Sequence, residues 1–94
     1  MSEKEIENEI KAWLDRQLYT WYFKVHGGPM QLPGVPDIVG CYRGKFFAIE
    51  IKVPGKQPTP IQYRRIKEIG AAKGITGYVT SLKQFKQLLK GARP

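Results

Sequence analysis

Asp37, Glu50 and Lys52 are the residues of this chain whose types and spacing best suit chemistry. If Arg43-Gly44 is a two-residue turn between two strands, Asp37 lies directly opposite Glu50 in the resulting hairpin. Lys52 emerges on the same face as Glu50, because side chains alternate between the faces of a strand. Two facing carboxylates repel each other and destabilise a sheet. A divalent cation between them would attract both and make their contribution to stability favourable. The spacing therefore predicts a small metal site with an ammonium beside it.

These groups together suit metal-assisted hydrolysis of a phosphodiester. Mg²⁺ prefers oxygen ligands and takes one or two carboxylates, keeping waters at its other positions. A bound metal makes a water more acidic and stabilises charge on a phosphoryl oxygen. Lys52 can orient the attacking water, deprotonate it as a neutral amine, or balance charge on the phosphorus as an ammonium. The structural alternative is an ordinary Glu50–Lys52 ion pair on an exposed edge, with Asp37 only starting a strand.

The first half of the chain predicts a helix followed by three strands. A capping box of Ser2 and Glu5 opens the helix, and apolar residues recur on one face of it: Ile6, Ile10, Trp13, Leu14 and Leu18. Runs rich in aromatic and β-branched residues predict strands at 19–25, 37–42 and 45–53, with a Gly- and Pro-rich loop at 26–36. Both faces of the third run are largely apolar, so we expect a central strand covered on both sides.

The second half predicts a helix, a strand and a helix. Thr59-Pro60-Ile61-Gln62 combines an N-cap, a proline at the first helical position and a capping-box glutamine, and the helix should end at Gly74. A strand at 76–80 and a helix after Ser81 follow. The strands flanking the middle helix should be parallel. The predicted fold class is α/β in the order αβββαβα, as one domain over residues 1–94.

The charge of the chain favours a polyanionic partner. Sixteen Lys and Arg against eight Asp and Glu give a net charge of +8, with basic residues dominating from Arg43 to Arg93. Such a field attracts nucleic acid, although a basic but inert surface is the alternative. A chain of 94 residues has a modest core, and oligomerisation often adds stability at this size. We therefore expect a homodimer that binds DNA.

The single cysteine and the N-terminus indicate an intracellular protein. Cys41 cannot form an intrachain disulfide, and its apolar strand predicts a small core residue. The N-terminus lacks the apolar run of a signal peptide, and no stretch is long enough to cross a membrane. We expect a cytoplasmic location, in a bacterial or phage-infected cell, and no membrane partner.

Three sequence blocks carry a resemblance to a known family: residues 34–40 (GVPDIVG), residues 47–52 (FAIEIK), and Thr59-Pro60 followed by Gln62. In this order they resemble the virus-type replication-repair nuclease (VRR-NUC) family of the PD-(D/E)XK nuclease superfamily. The resemblance covers roughly residues 5–89. It implies a restriction-endonuclease-like αβββαβ core, with a central mixed sheet flanked by helices.

The resemblance also implies roles for individual residues. Asp37 and Glu50 would bind Mg²⁺ or Mn²⁺, the backbone carbonyl of Ile51 would complete the protein ligands, and Lys52 would be the catalytic lysine. Gln62 matches the glutamine of the family, which supports the metal-site water or the lysine. Its other explanation is the capping box, and we expect that one amide cannot fully serve both roles.

Further candidates are less specific. Glu7 matches a helix-one acidic position that completes the metal site in many relatives; Glu3 competes with it, and both are also candidates for solvated glutamates. Candidates for DNA contacts, or simply for exposed positions, are Lys56, Arg64, Arg65, Lys67 and His26. Trp13 and Trp21 are expected to make core or dimer contacts rather than to stack on bases.

The function that the resemblance implies is a metal-dependent DNA endonuclease without a nucleotide cofactor. Stand-alone members of the family look like homodimers that act on branched DNA such as four-way junctions, and two-fold symmetry suits paired incision. A flap- or nick-directed nuclease is the alternative within the enzyme class. A DNA-binding module that kept the fold without catalysis is the alternative outside it.

Overall fold

A four-stranded mixed sheet with helices on both faces forms this protein, in a computed structural model that describes residues 1–29 and 31–91. Met30 of the loop and Arg93 of the basic stretch therefore lie outside the described residues. The elements in chain order are α1 (Glu3–Asp15), β1 (Thr20–Lys24), β2 (Ile38–Tyr42), β3 (Lys45–Ile51), α2 (Pro60–Ala71), β4 (Ile75–Val79) and α3 (Leu82–Gly91). The predicted α/β class and element order are confirmed.

The register of the central hairpin follows from its turn. The strands are arranged β1-β2-β3-β4, antiparallel except for the parallel β3–β4 pair. Arg43 and Gly44 have φ of 50° and 84°, as a type I′ turn requires. Tyr42 consequently pairs with Lys45. The predicted register is confirmed, and one more step along it places Asp37, just before β2, opposite the last residues of β3.

The core lies on both faces of β3, which is central as predicted. Phe47, Ile49 and Ile51 are buried among residues of α1 and α3 on one face. The alternating residues Ala48 and Glu50 are buried on the other face, where α2 packs mainly over β3 and β4. We call these the α1 face and the α2 face. None of the helices in the described ranges is both long and apolar enough to cross a membrane.

Two predicted core positions are wrong. Leu18 is 70% exposed, because α1 ends at Asp15 and the chain turns before β1. Cys41 is exposed, because it lies on the α2 face of β2, beyond the part of that face that α2 covers. The first three strands are also shorter than predicted: β3 ends at Ile51, so Lys52 follows the strand rather than belonging to it.

Gly34 packs the loop before Asp37 against the start of α2. Its φ is 78°, a backbone conformation that side chains disfavour. A Cβ atom there would lie 2.8 Å from the carbonyl oxygen of Ile61. The absence of a side chain at this position therefore lets the segment that carries Asp37 approach the helix that carries Gln62.

Replacing Gly34 with alanine should destabilise the fold more than the same change at Gly44. Gly44→Ala meets open space and should cost about 1 kcal/mol from its positive φ alone. Gly34→Ala adds the collision with Ile61, and should cost about 2–4 kcal/mol in all. Urea denaturation of both variants measures the difference, and equal losses would contradict the tight packing of Gly34.

Candidate active site

Asp37 is held at the start of β2 by three contacts, which come from the end of β1 and from β3. Its carbonyl accepts a hydrogen bond from the Val25 N–H at 2.8 Å, which ties it to the end of β1. Its Oδ2 accepts one from the Ile51 N–H at 2.8 Å, and its Oδ1 lies 3.3 Å from the Lys24 Nζ. The carboxylate is therefore fixed in place at the end of the sheet before any ligand binds.

Glu50 is a buried carboxyl group beside Asp37. Only 3% of its surface is exposed. Burial, the charge of Asp37 and a hydrogen bond between the two carboxyl groups raise the pKa of Glu50 to about 8. The Lys52 ammonium opposes this shift, and the more distant charge of Glu3 adds to it. A carboxyl pair that retains a proton at neutral pH is a pair that a divalent cation can stabilise by replacing the proton.

Gln62 serves two roles with the two ends of its amide. Its Oε1 accepts a hydrogen bond from the Thr59 N–H at 2.8 Å and completes the capping box of α2. Its Nε2 donates to Glu50 Oε2 at 3.2 Å. One amide thus combines the helix cap with a contact to Glu50, while its support of the metal-site water or the lysine stays a prediction. Its contact at the site is with Glu50, rather than with the lysine.

Lys52 and Ile51 end the central strand next to Glu50. The Lys52 Nζ lies 3.8 Å from Glu50 Oε2, and its side chain is mostly buried. The Lys52 N–H donates to the Val79 carbonyl at 3.0 Å, so the backbone at this position is held by β4. Ile51 is buried and gives its N–H to Asp37, while the role of its carbonyl as a metal ligand stays a prediction.

Glu7 lies on α1, on the opposite side of the sheet from Glu50. It is 7% exposed and contacts three lysines: Lys11 at 3.2 Å, Lys4 at 3.4 Å and Lys24 at 3.7 Å. Burial raises the pKa of Glu7, but the Lys11 hydrogen bond and the charges of Lys24 and Lys4 outweigh burial and lower it overall. Glu7 is thus an ionised, neutralised carboxylate.

The donor set fits Mg²⁺ or Mn²⁺ through two carboxylates rather than three. Within the described ranges, no group of three or more His, Cys, Asp and Glu side chains is placed to hold a metal. Glu50 is buried at the sheet end and the half-buried Asp37 lies beside it, which matches the one or two carboxylates that Mg²⁺ uses. The remaining ligands would be the Ile51 carbonyl and waters.

The predicted DNA-contact residues differ in their exposure and in the contacts that they already make within the chain. Lys56 and His26 are exposed on loops, and Lys67 is exposed on α2. The side chain of Arg64 is 71% exposed and pairs loosely with Glu68. Arg65 is already used within the chain: its Nε donates to the Pro33 carbonyl at 3.0 Å, and its Nη1 lies 3.0 Å from Glu68. Arg65 therefore holds the loop that leads to Asp37.

Lys24 is a site residue that the sequence reasoning missed. It ends β1 and contacts both Asp37 and Glu7. A signal was present in the sequence, because strict alternation along 20–24 places Lys24 on the same face as Tyr22, the face that packs against α1. A lysine at an inward-facing strand position needs a carboxylate partner.

Comparison with known structures supports the fold. No protein-family model matches the sequence, and comparison with curated proteins gives no match. A solved structure described as "VRR_NUC domain protein" superposes with a TM-score of 0.78 at 18% identity, covering 96% of this chain and 86% of that one. A second solved structure, described as "VRR_NUC domain", superposes with a TM-score of 0.76 at 20% identity, covering 96% of this chain and 97% of that one. The chain has the fold of VRR_NUC domains, a nuclease-type fold, as the sequence blocks predict.

The stability of the metal-free protein should fall as pH rises from about 4.5 to about 8. Over this range Glu50 is protonated in the fold but ionised in the unfolded chain, because its pKa is about 8 in the fold against 4.5 ordinarily. The unfolded state then binds fewer protons, so the free energy of unfolding decreases with pH. Urea denaturation in EDTA at several pH values measures the slope.

Glu50→Gln is the matched control for this pH dependence, because it keeps every other titrating group. The variant should show a shallower fall in unfolding free energy across the same pH range. Identical slopes in parent and variant would contradict the raised pKa of Glu50.

Proposed function

We propose that this chain, whose fold is that of VRR_NUC domains, is a Mg²⁺- or Mn²⁺-dependent DNA endonuclease. The observation that carries the proposal is the carboxyl pair at the sheet end, in which Glu50 is buried beside the half-buried Asp37 and the Lys52 ammonium lies 3.8 Å from Glu50. Burying a carboxyl group next to a second one is costly without a cation. The net charge of +8 supports a polyanionic substrate.

Each residue has a distinct part in the proposed reaction. Asp37, Glu50 and the Ile51 carbonyl would hold the ion, which when bound acidifies a water and stabilises charge on a phosphoryl oxygen. Lys52 would orient the attacking water or balance negative charge that develops on the phosphorus. Gln62 keeps the Glu50 carboxyl group oriented by donating to its Oε2.

The proposed DNA contacts are exposed residues of loops and of α2. A groove of about 390 Å³ runs beside Asp37 and is lined by Lys24 and the glycine-rich loop that follows His26. Lys56, Arg64 and His26 are exposed and would contact phosphates, which positions DNA without reading its sequence. Arg65 would act on DNA only through the loop that it anchors.

A second copy of the chain is the proposed protein partner. On the α2 face, beyond the cover of α2, lie three exposed aromatic rings: Trp21 at 66%, Phe23 at 47% and Phe46 at 48%. They expose roughly 250–400 Å² of apolar surface, enough for the core of an interface. The three residues of this aromatic patch carry no charge, so the patch itself adds no like-charge contact between two copies of a chain of +8.

A homodimer would favour branched DNA as the substrate. Two-fold symmetry presents two active sites to two symmetry-related strands, which suits paired incision of a four-way junction. Flapped or nicked DNA lacks that symmetry. The preference among these substrates is therefore the readout that separates the proposed junction endonuclease from a flap- or nick-directed one.

Asp37→Asn and Glu50→Gln should each abolish cleavage while DNA binding persists or strengthens. Each change removes a metal ligand and one negative charge, so the loss in rate should be roughly a thousandfold or more. Linear, flapped and four-way DNA incubated with Mg²⁺ provide the activity measurement, and a gel-shift assay without Mg²⁺ provides binding. Glu9→Gln removes an exposed carboxylate of α1 and should cut like the parent.

A melting curve separates loss of the metal from loss of catalysis alone. Millimolar Mg²⁺ should raise the melting temperature of the parent and of Glu9→Gln, but not that of Asp37→Asn. DNA binding without cleavage or metal stabilisation in the parent would identify a non-catalytic DNA-binding module instead. Cleavage by Glu50→Gln at the rate of the parent would show that the catalytic assignment is wrong.

Trp21→Arg should convert the homodimer to a monomer. The change places a charge in the aromatic patch, which brings like charges together across a two-fold axis. Light scattering after size exclusion measures the mass of parent and variant. Leu32→Arg is the matched control, because Leu32 is 58% exposed but lies on the loop before Asp37. A monomeric parent would contradict the role of this patch in dimer formation.

A further inference from the structure

Lys24 joins two carboxylates that come from different elements. It lies at the end of β1, with its Nζ 3.3 Å from Asp37 Oδ1 and 3.7 Å from Glu7 Oε1. Its side chain is 24% exposed, so most of its length is buried against the sheet. An ammonium is a compact positive charge, and the Lys24 ammonium lies between Asp37 and Glu7, where a metal ion that bridged these two carboxylates would lie.

The negative charge of Glu7 is already neutralised by lysines, which weakens its attraction for a metal ion. Besides Lys24, it contacts Lys11 at 3.2 Å and Lys4 at 3.4 Å, all of them within ion-pair distance of one carboxylate. A divalent ion placed between Glu7 and Asp37 would have to displace Lys24 or lie against its charge. Repulsion between positive charges only a few ångströms apart opposes such an arrangement.

The Asp37–Glu50 pair has no comparable bridge. Among the described residues, Lys52 is the cation within ion-pair distance of Glu50, and it does not reach Asp37. Gln62 contributes a neutral amide to Glu50. The two sides of Asp37 are therefore unlike: on the α1 face its negative charge is already shared with an ammonium, and on the α2 face it is paired with another carboxyl group.

We propose that Lys24 takes the place of a second metal ion, so that the chain binds one divalent cation, between Asp37 and Glu50, and Glu7 is not a ligand. This inference rests on the proposed function, since it needs the metal site at Asp37 and Glu50. Lys24 is then a positioning residue: it neutralises Glu7 and holds Oδ1 of Asp37, while Oδ2 of Asp37 is held by the Ile51 N–H.

Counting bound Mn²⁺ tests this proposal without a nuclease assay. Isothermal titration calorimetry, with free Mn²⁺ followed by electron paramagnetic resonance, should give one ion per parent chain. Lys24→Met keeps an unbranched side chain but removes the charge, and it should bind a second, weaker ion. The double variant Lys24→Met/Glu7→Gln should return to one ion, because the second ion would need Glu7.

Two single variants serve as controls. Lys11→Met removes a lysine that contacts Glu7 but not Asp37, and Lys24→Arg keeps the charge; both should bind one ion. Glu7→Gln leaves Lys24 in place and should keep one ion of nearly unchanged affinity. It also decides the question if Lys24→Met does not fold, since a loss of affinity of about tenfold or more in Glu7→Gln would make Glu7 a ligand.

The outcomes separate this inference from the proposed function. Two ions in the parent, or one ion in folded Lys24→Met, would overturn the role of Lys24 while leaving a metal-dependent nuclease intact. No Mn²⁺ binding by the parent would overturn the metal site itself, and the single-ion proposal with it.

Discussion

The repulsion between Asp37 and Glu50 is the constraint on which this end of the sheet depends. Glu50 is buried beside the half-buried Asp37, so burial and the charge of Asp37 both oppose the ionisation of Glu50 and raise its pKa. The surrounding groups offset this with donors of three kinds: the Ile51 N–H to Asp37, the Gln62 amide to Glu50, and the ammonium of Lys52 near Glu50. These donors stabilise the pair, and the proposed cation would offset the repulsion that remains.

The sheet itself separates the roles of the acidic residues. Glu50 projects on the α2 face, where a neutral amide meets it, and Glu7 projects from the helix on the α1 face, where lysines meet it. Asp37 lies between them, at the strand end where both faces are within reach of its two oxygens. A carboxylate in this position can link the two sides electrostatically. A change of charge on α1 therefore alters the electrostatic potential at the Asp37–Glu50 pair through Lys24.

The sequence predicted the features that depend on local rules. Arg43-Gly44 set the hairpin register, because a two-residue turn with positive φ at both positions leaves one way to pair the strands. The same rules found the capping box at Gln62. Leu18 and Cys41 were misplaced because helix length and the area that α2 covers are tertiary properties. Lys24 was missed because its partners, Glu7 and Asp37, are distant in sequence and meet only in the fold.

The Gln62 side chain links the stability of α2 to the geometry of the site, because it both caps the helix and contacts Glu50. Its amide oxygen is fixed by the Thr59 N–H, so its amide nitrogen has little freedom and must point at Glu50. The loop that carries Asp37 is packed on the same helix through Gly34 and is anchored by Arg65. The start of α2 therefore sets the positions of both carboxyl groups at once. Fraying of this first turn would release Glu50 from its donor and let the loop before Asp37 move, so the cap acts on the geometry of the site as well as on the helix.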